Sequence, residues 1–153
     1  MNMQLAQAID AIDLGPISRT MQVKRGWPAA KVQCVEAQYR AFLNLCMEEP
    51  GLAVPSADLD AYWETHILDT RKYASDCKAA FGTFLHHVPD ALERVQGLTR
   101  PCLLARFQQT MERIEAASGL SMKGVLMSGC DDCIPDYDPP SDPDPQIGMI
   151  AAT

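Results

Sequence analysis

No apolar run in this chain approaches the ~20 residues that cross a bilayer as a helix, so the sequence does not read as a helical membrane protein. Aromatic residues are scarce, at 7%, and there are only three histidines. Any imidazole chemistry must therefore come from His66, His86 or His87. No stripe of Lys and Arg exists to neutralise phosphates, which argues against nucleic-acid binding. A Gly-rich phosphate loop, a Gly-x-Ser-x-Gly elbow and a His-Glu-x-x-His helix are all missing, so no motif supports an enzyme and the question stays open. The opening MNMQLAQAIDAIDLG lacks a basic region and carries two Asp, unlike a secretory signal. The expected compartment is the cytoplasm.

What is present fits one domain: 153 residues, 47% apolar and 22% charged, enough to bury a core without disulfides or metal. The net charge of -7 is unevenly spread. From Cys130 onward the chain has six Asp and no Lys or Arg, leaving 14 acids against 13 bases in the body. Six cysteines stand at 34, 46, 77, 102, 130 and 133. The first four fall at apolar positions of helical patterns, where a reduced thiol acts as a small hydrophobe.

Apolar residues recur at helical spacing almost throughout, and no segment alternates as a strand would. Helices are expected from Gln4 to Asp13, from Ile17 to Arg25 and onward from Pro28, the last with Val32, Val35, Tyr39, Phe42 and Cys46 inward. Ser56 should cap a fourth helix running toward Val88, with Asp58 and Asp60 at its positive end. Pro101 should open a further helix burying Leu104, Phe107, Met111 and Ile114. The expectation is an all-α, compact orthogonal bundle of about five helices over residues 1–118. Residues 119–153, rich in Pro and Asp, read as a flexible acidic tail with one Cys-x-x-Cys, too poor in apolar residues to offset the entropy of ordering.

The fourth helix carries an unusual line. His66, Asp69, Thr70, Tyr73 and Cys77 share a face with Trp63 if the helix is continuous. One reading is a satisfied core network in which His66 hydrogen-bonds Asp69, with Tyr73 a hydroxyl partner, Cys77 a filler and Trp63 core. The other is a divalent transition metal such as zinc, held by His66 and Asp69 with His86, His87 or Glu64. Cys130 and Cys133 alone supply two of the four donors structural zinc needs, and the Asp pair between them opposes a lowered thiol pKa.

The runs Val54-Pro55-Ser56, Asp58-Leu59-Asp60-Ala61-Tyr62-Trp63-Glu64-Thr65-His66-Ile67-Leu68-Asp69-Thr70, Tyr73, Asp76-Cys77 and Phe81-Gly82-Thr83-Phe84-Leu85-His86-His87 resemble the glycine-rich domain-containing protein-like family. Ile12-Asp13-Leu14-Gly15-Pro16-Ile17 and Tyr39-Arg40-Ala41-Phe42-Leu43 resemble its N-terminal part. The resemblance covers roughly residues 9–118 and implies a small helical domain of unsettled biochemical role. The family pattern carries His directly after the Trp, where this chain has Glu64, and aromatics where it has Asp90-Ala91. Taken together, the first expectation is a helical interaction or regulatory domain with a protein partner. The alternative is a metal-binding protein or metalloenzyme.

Overall fold

Helical spacing becomes seven helices and one strand pair in the computed structural model, which describes residues 2–127 and 134–137. The helices are α1 (Met3–Asp10), α2 (Gly15–Arg25), α3 (Ala29–Glu48), α4 (Ala57–Leu68), α5 (Thr70–Phe81), α6 (Ala91–Arg94) and α7 (Arg100–Ser118). The strands are β1 (Leu85–Val88) and β2 (Ile134–Tyr137). The all-α expectation holds for the body. None of these helices is long and apolar enough to cross a membrane.

Local chemistry sets the helix ends. Asn2 Oδ1 accepts from the Gln4 and Leu5 amides, Ser56 Oγ from Leu59 and Thr99 Oγ1 from Cys102, each relieving a free N–H of a first turn. Gly26 closes α2 at φ 66°, a left-handed conformation that glycine adopts without a Cβ penalty.

The expected long fourth helix is two. At Asp69 (φ -83°, ψ 72°) the backbone leaves helical geometry, the Asp69 amide bonding back to His66 O and the Asp69 carbonyl receiving Tyr73 N. A helix unbroken from Ser56 to Val88 would be ~50 Å long, too long for a domain whose radius of gyration is ~15 Å. After Gly82 (φ 71°) the chain is extended, so His86 and His87 lie on a strand rather than at a helix end.

Helix α3 is central and packs against α1, α2, α4 and α7. Its predicted stripe of Val32, Val35, Tyr39, Phe42 and Cys46 is buried throughout, and Tyr62, Trp63, Leu59 and Tyr73 close over it. Two cysteine expectations fail: Cys34 and Cys102 are exposed. On α7 Leu103, Met111 and Ile114 are buried, whereas Leu104, expected inward, is exposed. Arg40 spans from α3 to the end of α1, donating to the Ile9 carbonyl at 2.7 Å and the Ile12 carbonyl at 3.1 Å. The first belongs to the last turn of α1 and the second to the connection that follows it.

Packing does not stop at residue 118. Met122 is buried against the core, and its amide donates to Glu115 Oε2 at 2.9 Å. The Ala57 amide at the start of α4 donates to Leu126 O at 2.9 Å, and Ser56 forms a bridge with Met127. Strand β2 then runs antiparallel to β1, with Val88 opposite Ile134, His87 opposite Pro135, His86 opposite Asp136 and Leu85 opposite Tyr137. Residues 120–127 and 134–137 thus make backbone and core contacts with the helical body beyond residue 118. Cys130, Cys133 and the rest of the acidic segment lie outside the described residues.

Candidate functional site

The polar line expected on one fourth helix does not form a single site, because the helix breaks at Asp69; two separate clusters stand in its place. The first is built around His66, which is 1% exposed. Its Nε2 lies 2.8 Å from Asp76 Oδ2 on α5, and its Nδ1 lies 2.9 Å from the Tyr39 hydroxyl on α3. A carboxylate can only accept, so the imidazole proton belongs on Nε2, and Nδ1 accepts from Tyr39. Lys72 Nζ sits 3.0 Å from the same Asp76 oxygen and balances its charge. Burial lowers the His66 pKa from 6.5 and outweighs the upward pull of Asp76, with Lys72 adding to the depression. Burial also holds the Tyr39 hydroxyl protonated by raising its pKa well above the usual value.

His66 is thus neutral and its two nitrogens are both engaged. Asp69, the expected partner, is exposed and caps the junction between the helices through its backbone, and its charge adds only the smallest upward pull on the His66 pKa. The predicted His66–Asp69 side-chain pair is replaced by His66–Asp76. Sequence spacing could not show this, since the i, i+3 rule applies only within one continuous helix.

The second cluster joins α4 to β1. Strand alternation sends Leu85 and His87 to the core side and His86 to the other, where its ring meets Phe84 at 4.8 Å. Only one of the two adjacent histidines can therefore reach α4. His87 Nε2 lies 2.8 Å from Asp60 Oδ1, and Asp60 is 4% exposed. Glu64 stands one turn beyond Asp60 on the same helix face. Donor atoms of Asp60, Glu64 and His87 all fall within 4.8 Å of one another.

The surroundings fix the imidazole. Its ring meets the buried Trp63 ring edge-on, with centroids 4.7 Å apart. Trp63 Nε1 donates to the Tyr73 hydroxyl at 2.9 Å, and that hydroxyl donates to the Leu85 carbonyl of β1. One phenol therefore ties α4, α5 and the histidine-bearing strand together. Trp63 and Tyr73 serve as core and bracket rather than as donors to the cluster. Cys77 is buried beside Tyr73, and burial raises its thiol pKa, so it stays a neutral thiol.

Of the five residues expected to ligate metal, the fold brings Glu64 and His87 together and leaves His66, Asp69 and His86 elsewhere. Asp60 completes the group. Its signal in sequence was that of a first-turn acid complementing the helix dipole, which hid its second use.

A family model described as UCP032817-like matches residues 11–114, and the chain belongs to that family. The match takes in all three donor residues. No curated protein and no solved structure gives a match to this chain.

Proposed function

We propose that this UCP032817-like chain is a small helical domain that binds one divalent transition metal through Asp60, Glu64 and His87. The carrying observation is the convergence of one imidazole nitrogen and two carboxylates within 4.8 Å at the α4–β1 junction. Donors on a single zinc ion stand at most ~4.2 Å apart, given bonds of ~2.1 Å. A small rotation of the long Glu64 side chain covers the difference. Mixed nitrogen and oxygen donors suit zinc, iron or manganese, and three protein ligands leave positions open for water or a further ligand. A metal ion would replace the hydrogen bond between His87 and Asp60: with the imidazole proton on Nδ1, the Nε2 lone pair and the Asp60 carboxylate would both face the ion.

The resemblance to the glycine-rich domain-containing protein-like family supports the same position. That pattern has His where this chain has Glu64, and either side chain offers one donor to the cluster. Calorimetric titration of zinc and manganese into protein purified without a His tag, paired with elemental analysis, tests the reading. One equivalent should bind, and His87→Ala should weaken it at least ~10-fold, since loss even of a group that only orients a ligand typically costs about 10–100-fold. Wild-type protein that binds neither ion would sink the proposal.

A second reading, a helical interaction domain for a protein partner, draws on Leu68. That residue is 80% exposed at the rim of a cleft of about 680 Å³ lined also by Ile17, Thr20, Lys24 and Arg25. The free thiols of Cys34 and Cys102 suit a reducing, cytoplasmic setting. Leu68→Glu should abolish partner capture without touching metal affinity.

A further inference from the structure

The metal-binding reading leaves out a segment that touches both walls of the cluster. One wall is the first turn of α4, which carries Asp60; the other is β1, which carries His87. Residues C-terminal to α7 hold both. At α4, the Ala57 amide is one of the four N–H groups a helix start leaves open, and it is taken by Leu126 O at 2.9 Å, beside the Ser56–Met127 bridge. At β1, strand β2 supplies the only pairing partner among the described residues.

The register of that pairing has a chemical reason. Pro135 stands opposite His87 and has no N–H to give. An antiparallel ladder alternates residue pairs that exchange hydrogen bonds with pairs that do not. Pro135 therefore fits only a non-exchanging position, which makes the flanking pairs, Val88 with Ile134 and His86 with Asp136, the exchanging ones. By the same alternation the Leu85 pair does not exchange. This agrees with two bonds already present: Leu85 O receives the Tyr73 hydroxyl, and the Tyr137 amide donates to Asp136 Oδ1 at 2.8 Å rather than to β1. So β1 is held on one side by Tyr73 and on the other by β2, with His87 between the two exchanging pairs.

A two-stranded pairing of four residues each is marginal by itself. We infer that residues 126–127 and 134–137 form a detachable clasp that sets the distance between His87 and the Asp60–Glu64 face, so that closing the clasp and binding metal promote each other. The inference rests on the metal-binding reading above. Linkage makes the effect reciprocal: if the closed clasp tightens metal binding, bound metal must hold the clasp closed by the same factor. The chain is then a domain whose C-terminal segment reports the occupancy of its site, and release of the segment frees the edge of β1 when metal is withdrawn.

The test uses the full chain. Amide hydrogen exchange with and without saturating zinc should show the amides of Ile134, Asp136, His86 and Val88 gaining about tenfold protection, within the usual range of coupling between two sites. Asp136→Pro removes one exchanging N–H without touching a donor residue. It should weaken zinc binding by about the same tenfold in calorimetry, with the far-UV helical signal unchanged. Zinc binding by the wild type with no change in strand protection would overturn the clasp and leave the metal site standing. Absence of any zinc or manganese binding by the wild type would remove the site itself, and the clasp with it. Should Asp136→Pro lose its helical signal, the wild-type exchange comparison decides alone.

Discussion

His66 on α4 and Asp76 on α5 meet at 2.8 Å across the helix break, although ten positions separate them in the chain. The contact replaces the one-turn pairing with Asp69 that a continuous helix would have given. A His66→Ala, Asp76→Ala double-mutant cycle should show coupling of about 1.5–3 kcal/mol, the range for a hydrogen bond to a charged group. The same cycle with Asp69 should be additive within ~0.5 kcal/mol. Equal coupling in both cycles would contradict the break at Asp69.

The neutral state of His66 carries a pH signature. Its folded pKa lies below the unfolded value of 6.5 because burial opposes the charge. Below pH 6.5 the unfolded chain binds a proton that the folded chain refuses. The contribution of His66 is thus fully present above that pH and is lost as pH falls toward the folded pKa. Urea melts of wild type and His66→Gln between pH 7.5 and 5 check this. The wild type should lose stability on acidification more steeply than the variant, and parallel curves would count against a buried neutral imidazole.

Tyr73 should matter through its oxygen as well as its ring. Tyr73→Phe leaves Trp63 Nε1 and Leu85 O without their shared partner, and each buried unsatisfied group costs about 1–3 kcal/mol. Denaturant melts should register that loss, and hydrogen exchange should show β1 loosened more than α7. Trp63→Ala should cost about 3–5 kcal/mol, as truncation of a fully buried Trp usually does.

Thr110 is the corresponding polar fastener of α7. Fully buried, its Oγ1 accepts from the Val54 amide at 3.0 Å and lies 2.7 Å from the Arg106 carbonyl. Thr110→Val keeps the volume but strands the Val54 N–H, at about 1–3 kcal/mol. Thr110→Ser, which keeps the hydroxyl, should cost less. A stability order reversed between these two would show that methyl packing, not the hydroxyl, holds the loop.

Glu64→His tests the cluster from the other direction. The substitution brings a second imidazole to the cluster, and a second nitrogen donor suits zinc better than a carboxylate does. Zinc affinity should rise in calorimetry. No change would mean that position 64 does not reach the ion.

Much of the body was legible because helical periodicity reports burial directly. The stripe of α3, the Ser56 cap and the stop at Gly26 all follow from local chemistry and recur in the fold. The site was half legible. Glu64 and His87 stood out as ligand types, but their meeting depends on β1, and a four-residue strand after a left-handed glycine has too short a pattern to show alternation. Asp60 was concealed by a sufficient alternative explanation at the helix start. The pairing of 134–137 was illegible for a different reason. Composition predicts whether a segment can form a core of its own, not whether it can borrow backbone partners from a strand formed elsewhere.

The pairing of β1 with β2 also has a consequence for synthesis. Chains emerge from the ribosome N-terminus first, at roughly 5–20 residues per second, and fold as they emerge. All the described helices precede β2, so the helical body can close while β1 still lacks its strand partner. For that interval the nascent chain presents an open strand edge beside a histidine and two carboxylates, the kind of edge other chains can pair with. Emergence of residues 134–137 therefore covers that edge, and a chain truncated after residue 127 would keep the 120–127 contacts yet carry the edge of β1 uncovered.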